Sequence, residues 1–258
     1  MAKSKTAFVC TDCGAEYSRW LGQCNECKAW NTISEFRQAK APGRGSQFSG
    51  FSGMVEAKVQ TLDTIDLADL PRFSSGFAEF DRVLGGGIVP GSAILIGGEP
   101  GAGKSTLLLQ TMCALSANMP ALYITGEESL QQVAMRAKRL GLKADNLKLL
   151  SETSVENICH IAEKEQPKIM VIDSIQVMHM ADIQSAPGSV SQVRETAAFL
   201  TRFAKQHHVA MLIVGHVTKD GSLAGPKVLE HCIDCSIMLE GSTDSRYRTL
   251  RGNKNRFG

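Results

Sequence analysis

The chain has 258 residues, of which 43% are hydrophobic and 21% are charged, and its formal net charge is +2 at pH 7. This composition is typical of a globular protein with one sizeable core, and so small a net charge excludes a basic surface spread over the whole molecule. No apolar run approaches the roughly 18 residues needed to span a membrane, and no apolar signal segment follows the first five residues. We therefore expect a cytoplasmic protein without a membrane partner.

Residues 1–36 contain four cysteines with the spacing of a metal site. Cys10 and Cys13 form one C-x-x-C pair, and Cys24 and Cys27 form a second pair after ten intervening residues. Two such pairs supply four thiolates for a closed tetrahedral site, and metal binding would give this short segment folding free energy on the order of 10 kcal/mol. We predict a structural zinc finger over residues 1–36, with a redox dithiol pair or an iron–sulfur cluster as the alternatives.

The remainder of the chain divides into a linker and a larger domain. Residues 37–57 are rich in glycine and serine without periodicity, which predicts a flexible linker. Residues 58–258 alternate predicted strands (93–97, 121–125, 169–172 and 209–214) with predicted helices (105–117, 129–140, 154–165 and 189–207). This alternation predicts an α/β domain with a mainly parallel sheet, followed by an antiparallel pair of strands at 233–240 and 247–251.

The segment 98–105, GEPGAGKS, fits the phosphate-binding pattern G-x-x-x-x-G-K-[ST] at every fixed position. It lies between a predicted strand and a predicted helix, which is the context that this motif requires. Loop N–H groups and the helix N-terminus would hold the phosphates of ATP, while Lys104 reaches the β- and γ-phosphates and Ser105 binds Mg²⁺. The predicted cofactor-binding residues are Gly98, Glu99, Pro100, Gly101, Ala102, Gly103, Lys104, Ser105 and Thr106.

Acidic residues follow two other predicted strands. Asp173 ends an apolar strand, where a second carboxylate that organises Mg²⁺ belongs. Glu127 follows the strand at 121–125, at the edge where ligands of open α/β sheets bind, and we predict that it activates the attacking water as a base. Its neighbour Glu128 better fits an acid before the next helix. Lys104, Asp173 and Glu127 are thus the predicted catalytic residues.

Polar residues near the end of the chain are candidates for sensing the nucleotide or contacting DNA. His216 follows the strand at 209–214 and is either a γ-phosphate sensor or an ordinary strand-end residue. The last thirteen residues include Lys254 and Arg256 and contain no acid. Such a stripe binds phosphates or simply protects an exposed edge strand.

A further C-x-x-C pair, Cys232 and Cys235, lies in an alternating segment that we predict to be a strand. Residues three apart on a strand point to opposite faces, so we favour buried thiols over a second metal site. Cys113 and Cys159 lie on predicted helices and are expected in the core.

Several segments together resemble the bacterial RadA (Sms) family, which consists of RecA-like ATPases with an N-terminal zinc finger. The resemblance extends over the whole chain. It is carried by Cys10–Thr32, Ser75–Gly87, Gly126–Ser129, Pro187–Glu195, Gly215–Lys219 and the final pentapeptide Lys254–Gly258. Members of that family continue into a Lon-protease-like domain that organises the hexamer, which we expect this chain, ending at Gly258, to lack.

The resemblance implies a DNA-dependent ATPase of recombinational repair that drives branch migration and unwinds recombination intermediates on single-stranded DNA. It also implies the cofactors ATP, Mg²⁺ and Zn²⁺, single-stranded and branched DNA as partners, a homo-oligomer that is a hexameric ring in the family, and contact with RecA or another recombination or replication protein. Arg194, Lys219, Lys254 and Arg256 would face DNA or the ATP of an adjacent subunit. The loops 180–188 and 220–226 would line the DNA channel.

Two other functions use the same phosphate-binding chemistry. An ATP-switched DNA- or protein-binding module would recruit a partner through zinc and use hydrolysis only to reset, without motor activity. A clock-type RecA-like phosphotransfer protein is a third possibility, against which the zinc unit and the final pentapeptide both argue.

Overall fold

The computed structural model describes residues 6–10, 16–37, 61, 71–144, 146–216, 229, 231–241 and 247–258. Four features predicted from the sequence lie wholly or almost wholly outside these residues. They are Cys13, Lys219, the loop at 220–226 and all but the first residue of the linker at 37–57.

The N-terminal unit contains a small antiparallel sheet with the order β2-β1-β3. Its strands are β1 (Thr6–Cys10), β2 (Glu16–Tyr17) and β3 (Ile33–Arg37). Among the side chains that the structure describes in this unit, the buried cluster consists of Cys10, Cys24 and Ile33, against which Phe8, Tyr17 and Leu21 pack. So small an apolar cluster agrees with the expectation that a bound metal stabilises this unit.

In the rest of the described chain, seven strands form one sheet with the order β10-β9-β4-β8-β7-β5-β6. All neighbours pair in parallel except β10, which is antiparallel to β9. The strands are β4 (Ala93–Gly97), β5 (Ala121–Thr125), β6 (Leu147–Ser151), β7 (Ile169–Asp173), β8 (Ala210–Val214), β9 (Cys235–Glu240) and β10 (Thr249–Asn255). The predicted α/β fold with a mainly parallel sheet is confirmed.

Helices cover both faces of this sheet. They are α1 (Ala78–Val83), α2 (Lys104–Ser116), α3 (Leu130–Arg139), α4 (Val155–Glu165) and α5 (Val190–His207), with a short 3₁₀ helix at Ile175–Val177. Leu95 and Ile172 belong to a buried cluster with α4 and α5, whereas Ile94 and Val171 belong to a cluster with α1, α2 and α3. Because successive strand residues point to opposite faces, a continuous apolar run is what a strand covered on both sides requires.

Several elements were not predicted from the sequence, namely the three strands of the N-terminal unit, the short 3₁₀ helix, α1 and β6. The helix α1 has only six residues, and β6 is an edge strand that pairs with β5 alone. The residues of β6 are half-buried or exposed, because one edge of this strand has no neighbour among the described strands. Their sequence therefore lacks the continuous apolar run that marks the central strands.

The sheet brings the ends of β4, β5, β7 and β8 to one edge, because parallel strands share a direction. The phosphate-binding loop follows β4, and the candidate acids follow β5 and β7. Ligands of open α/β sheets bind at this carboxyl edge. No helix in the described part of the chain is long and apolar enough to cross a membrane.

Candidate nucleotide and metal sites

The predicted phosphate-binding loop connects β4 to α2 with the backbone shape that its glycines require. A Cβ atom at Gly98 would lie 2.4 Å from the carbonyl oxygen of Leu239 on β9, so the loop can approach that strand only without a side chain. Gly103 caps α2 with φ of 103°, in the left-handed region. The residue type at both positions thus follows from the path of the loop.

Two glycines of the loop have open space around them at the start of α2. Cβ atoms built on Gly101 and Gly103 meet nothing within 4 Å. The N-terminal turn of α2 offers N–H groups without an intrahelical partner, and Gly103 supplies no side-chain cap to them. A helix N-terminus of this kind binds anions. Ser105 and Thr106 are half-buried in this first turn.

Lys104 is buried, and its ammonium group points back into the loop. Its Nζ atom donates hydrogen bonds to the carbonyl oxygens of Gly98, at 2.7 Å, and Glu99, at 2.9 Å. Burial lowers the pKa of Lys104, and the nearby carboxylates of Asp173 and Glu127 oppose that change. A desolvated cation in a loop of N–H groups is the electrostatic environment that a triphosphate requires.

Asp173 is buried at the end of β7, and it accepts a hydrogen bond from the hydroxyl of Tyr123 on β5. Burial, followed by the charge of Asp173 and this hydrogen bond, raises the pKa of Tyr123, so the phenol is a donor at neutral pH. With Ser105, Asp173 provides the oxygen ligands that Mg²⁺ prefers. When bound, that ion would neutralise charge on the phosphates.

Glu127 lies in the loop after β5, where it contacts residues from two neighbouring strand ends. Its Oε1 atom accepts a hydrogen bond from Oγ of Ser174 and lies 3.2 Å from Nε2 of His216. Ser174 is fully buried, whereas about two fifths of the Glu127 side chain is exposed. An exposed carboxylate held by fixed neighbours is suited to orient a water molecule.

The neighbouring acid, Glu128, has a different environment. It forms an ion pair with Arg136 on α3. The N-cap of α3 is Ser129, whose side chain accepts from the N–H of Gln132 while Gln132 bonds back to the N–H of Ser129. Because Ser129 and Gln132 form this capping box, neither Glu127 nor Glu128 is the N-cap of α3.

Lys104, Asp173, Glu127 and His216 are therefore brought together at the carboxyl edge of the sheet. Tyr123 and Ser174, which sequence reasoning missed, hold the two acids. A signal for Ser174 was available, since it is a polar residue directly after the predicted acid of a buried strand.

Lys254 and Arg256 lie towards the opposite end of the strands. Lys254 pairs with Ser236 on β9, and Ser236 pairs with Leu95 on β4. Leu95 precedes the first loop residue, Gly98, by three residues, so Lys254 lies about 10 Å from the phosphate loop along the strand direction. Its Nζ atom donates to the carbonyl oxygen of Ile233, which lies still further from the loop. Lys254 is thus directed away from the phosphate site of its own chain.

Arg256 and Lys205 share a buried carboxylate near the amino edge of the sheet. Asp234 Oδ1 lies 2.9 Å from Nζ of Lys205 and 3.3 Å from Nη1 of Arg256. Its Oδ2 atom accepts the N–H of Ala93, the first residue of β4, at 3.1 Å. This network ties the C-terminal segment to the centre of the sheet.

Arg194 lies in the first half of α5. Its guanidinium forms a 2.8 Å ion pair with Glu195, and both side chains are exposed. The loop before α5, predicted at 180–188, is held by Gln192. This buried side chain accepts from the N–H of Met180 and donates to the carbonyl oxygens of Met180, Ile183 and Ser185.

The described cysteines of the N-terminal unit have the geometry of a zinc site. The Sγ atoms of Cys10, Cys24 and Cys27 lie within 4.8 Å of one another, with Cys10 and Cys27 at 3.6 Å. Sulfurs at tetrahedral positions around zinc are about 3.8 Å apart. The hydroxyls of Thr32 and Tyr17 lie 3.2 Å from Cys10 Sγ and 3.1 Å from Cys24 Sγ, as polar groups around ligating sulfurs do.

The other described cysteines are buried, as predicted. Cys232 lies in a helical turn before β9, however, so the expected strand begins only at Cys235. Burial raises the pKa of both thiols, that of Cys235 to about 11. Burial also raises the pKa of Cys113, and it raises that of Cys159 to about 12.

Two family models match the chain. The model described as an AAA domain matches residues 61–222. The model described as a rubredoxin metal binding domain matches residues 8–35. Together with the cysteine cluster, these matches confirm the predicted cofactors ATP, Mg²⁺ and Zn²⁺.

Bacterial relatives match the chain over its whole length. Proteins named DNA repair protein RadA are 71% identical over 260 residues in Haemophilus influenzae, 71% over 262 in Escherichia coli and 47% over 259 in Bacillus subtilis. The predicted resemblance to RadA is thus confirmed. In each of these cases the chain spans 57% of the relative's length.

Among solved structures, a KaiC-like protein from Pyrococcus horikoshii shares the fold. The TM-score is 0.61 at 20% identity, covering 73% of this chain and 90% of that protein. This likeness supports the RecA-like arrangement of the sheet.

Proposed function

Because the chain belongs to the AAA domain family, whose model matches residues 61–222, we propose that it is a DNA-dependent ATPase acting in DNA repair. The observation that carries the proposal is the convergence of Lys104, Asp173 and Glu127 beside an open phosphate loop. Lys104 would bind the β- and γ-phosphates, Asp173 and Ser105 would hold Mg²⁺, and Glu127 would orient the attacking water.

The second part of the proposal is that hydrolysis requires a neighbouring subunit. Within one chain the loop has Lys104 as its buried cation, and Lys254 and Arg256 lie too far along the strands to reach it. A neighbour whose C-terminal segment faces the open loop would supply the cations that stabilise charge on the γ-phosphate. This arrangement would link turnover to assembly of a homo-oligomer, which we propose to be a hexameric ring.

DNA is the proposed partner because the relatives are named DNA repair proteins. In the proposed assembly, the loop at 180–188, Arg194 and Lys219 contact single-stranded or branched DNA, and hydrolysis drives branch migration and unwinding. Lys219 belongs to the part of the chain that the structure does not describe. RecA, or another recombination or replication protein, is a candidate protein partner.

An ATP-switched binding module is the alternative, and strand displacement separates the two functions. Both predict ATP turnover that depends on Lys104, and a module that binds protein instead of DNA predicts no rise in turnover with single-stranded DNA. Only a motor displaces an annealed strand from a branched substrate while it hydrolyses ATP. The decisive measurement is therefore ATPase rate and strand displacement on the same preparation.

The matched variants for this experiment are Lys104→Ala and Lys164→Ala. Lys104→Ala is expected to abolish turnover, whereas Lys164 is an exposed lysine on α4 and its loss is expected to have no effect. Substantial turnover by Lys104→Ala would refute the assignment of the site. Turnover with no strand displacement under any condition would favour the binding module.

A further inference from the structure

Trp20 and Trp30 are the only tryptophans of the chain, and both are exposed on the metal-binding unit. Their exposed fractions are 57% and 69%, whereas tryptophan side chains are on average highly buried. Neither belongs to the buried cluster of this unit, which is formed by Cys10, Cys24 and Ile33. The two indoles therefore contribute little to the small core.

The indoles converge over one glycine. The position that a Cβ atom of Gly22 would take lies 3.7 Å from Cη2 of Trp20 and 3.9 Å from Cζ3 of Trp30. Both six-membered rings thus border the same stretch of bare backbone. We call this surface the tryptophan platform, consisting of Trp20, Gly22 and Trp30.

Backbone hydrogen bonds hold the platform in place. The N–H of Asn31 donates to the carbonyl oxygen of Gly22 at 2.8 Å, and Gln23 and Trp30 form an antiparallel bridge. The N–H of Cys24 donates to the carbonyl oxygen of Ala29 at 2.9 Å. Because these bonds enclose the second C-x-x-C pair, metal binding and the shape of the platform are coupled.

The residues next to the two tryptophans in sequence are mostly polar. Residues 18–32 contain Arg19 and Lys28 and a single acid, Glu26, and all three are exposed. Asn31, also exposed, follows Trp30 directly. The nearest aliphatic side chain in sequence, Leu21, packs on the internal cluster instead. The platform thus presents two exposed aromatic side chains, with Arg19, Lys28 and Asn31 close to them in sequence.

We propose that the tryptophan platform stacks the bases of single-stranded nucleic acid, with Arg19 and Lys28 contacting the phosphates beside them. The proposal rests on the proposed function, in which the chain works on DNA. Aromatic side chains next to a positive groove are the usual means of binding single strands without sequence preference, since every base has a π-face. The metal site would then serve to hold this surface in shape.

The two tryptophans permit a direct test with the full chain. Stacked bases alter the emission of an indole, and no tryptophan elsewhere contributes to the signal. We expect quenching when an oligothymidylate is added in the absence of ATP. An abasic oligonucleotide of the same length, which keeps the phosphates, is expected to produce little quenching. Equal quenching by both strands, or none by either, would overturn the stacking proposal.

Substitutions assign the contribution of each ring. Trp20→Ala and Trp30→Ala are each expected to weaken binding of the oligothymidylate about tenfold, and the Phe variants are expected to retain part of the affinity. Met135→Ala is the matched control, since Met135 is a 63% exposed apolar side chain on α3. Zinc content measured on every variant shows that the metal-binding unit is intact.

The outcome separates this proposal from the proposed function. If single-stranded DNA stimulates the ATPase but neither alanine variant loses affinity for the oligothymidylate, the platform does not bind DNA. A protein partner would then be the ligand to test. If the platform binds bases but DNA never stimulates turnover, the stacking proposal stands and the DNA-dependent ATPase is wrong.

Discussion

The buried hydroxyl of Ser174 donates a hydrogen bond to Oε1 of Glu127, the same oxygen that lies 3.2 Å from Nε2 of His216. Ser174 follows directly on Asp173. One strand end therefore supplies both the candidate Mg²⁺ ligand and the group that positions the candidate base. In this arrangement Oε2 of Glu127 is the oxygen left to interact with water.

We predict that Ser174→Ala lowers kcat for ATP hydrolysis while leaving ATP affinity nearly unchanged. A hydrogen bond to a charged group contributes about 1.5–3 kcal/mol, so the expected loss is about 10- to 100-fold. The control is Ser92→Ala, because Ser92 is also buried but its hydroxyl has no hydrogen-bond partner among the described residues. Steady-state kinetics and nucleotide titrations on both variants test this prediction. An unchanged kcat in Ser174→Ala would show that Glu127 needs no such support.

The convergence at the carboxyl edge was predictable from sequence because it depends only on strand direction. Glu127 and Asp173 follow two apolar runs of one parallel sheet, and parallel strands end at the same edge. The hydrogen bonds of Ser174 and Tyr123 depend on strand order and register instead, since β5 has to lie beside β7. A list of predicted strands does not contain that information.

Features that depend on strand order and register could not be predicted from the sequence. The strand β6 lies at the sheet edge, so its apolar signal is weak. The buried ion pairs of Asp234 join residues far apart in the chain, and no local pattern indicates them. Lys254 was recognised as basic, but its distance from the phosphate loop follows only from the register of β10 on β9.

We predict that Asp234→Ala strongly destabilises the ATPase domain. The carboxylate is 2% exposed, and its loss leaves the 20% exposed Lys205 side chain without its partner. Breaking a buried ion pair from one side costs about 3–5 kcal/mol, which denaturant unfolding measures directly. The double variant Asp234→Ala with Lys205→Met is expected to recover part of the loss. A loss of less than about 1 kcal/mol in the free energy of unfolding of the single variant would contradict this prediction. It would show that the Asp234 network contributes no more than a surface ion pair does.

We predict that removal of zinc unfolds the N-terminal unit and leaves the ATPase domain folded. Among the described side chains of the unit, the buried cluster has three residues, two of which are cysteines, so we expect metal–thiolate bonds to supply most of its stability. After chelation, hydrogen exchange is expected to rise over residues 6–37 while ATP binding persists. Cys24→Ser is expected to have the same effect as chelation. Retained protection of residues 6–37 in metal-free protein would contradict the structural role of zinc.

We predict that Gly98→Ala weakens ATP binding far more than Gly141→Ala, a glycine substitution outside the phosphate loop. The new methyl group would lie 2.4 Å from the carbonyl oxygen of Leu239 and 3.5 Å from Cδ of Lys104, so the loop has to move away from β9. That movement displaces the two carbonyl groups that hold the ammonium of Lys104. The expected result is a large loss of ATP affinity, measured by titration, and a lower free energy of unfolding.

Gly141→Ala is the control for backbone strain at a left-handed glycine. Gly141 has φ of 66° and open space around its Cβ position, so alanine there is expected to cost about 1–2 kcal/mol of stability without changing ATP affinity. The comparison separates conformational strain from steric contact, because only Gly98 faces the backbone of another strand. If Gly98→Ala binds ATP as tightly as Gly141→Ala, contact between the loop and β9 is not what positions Lys104.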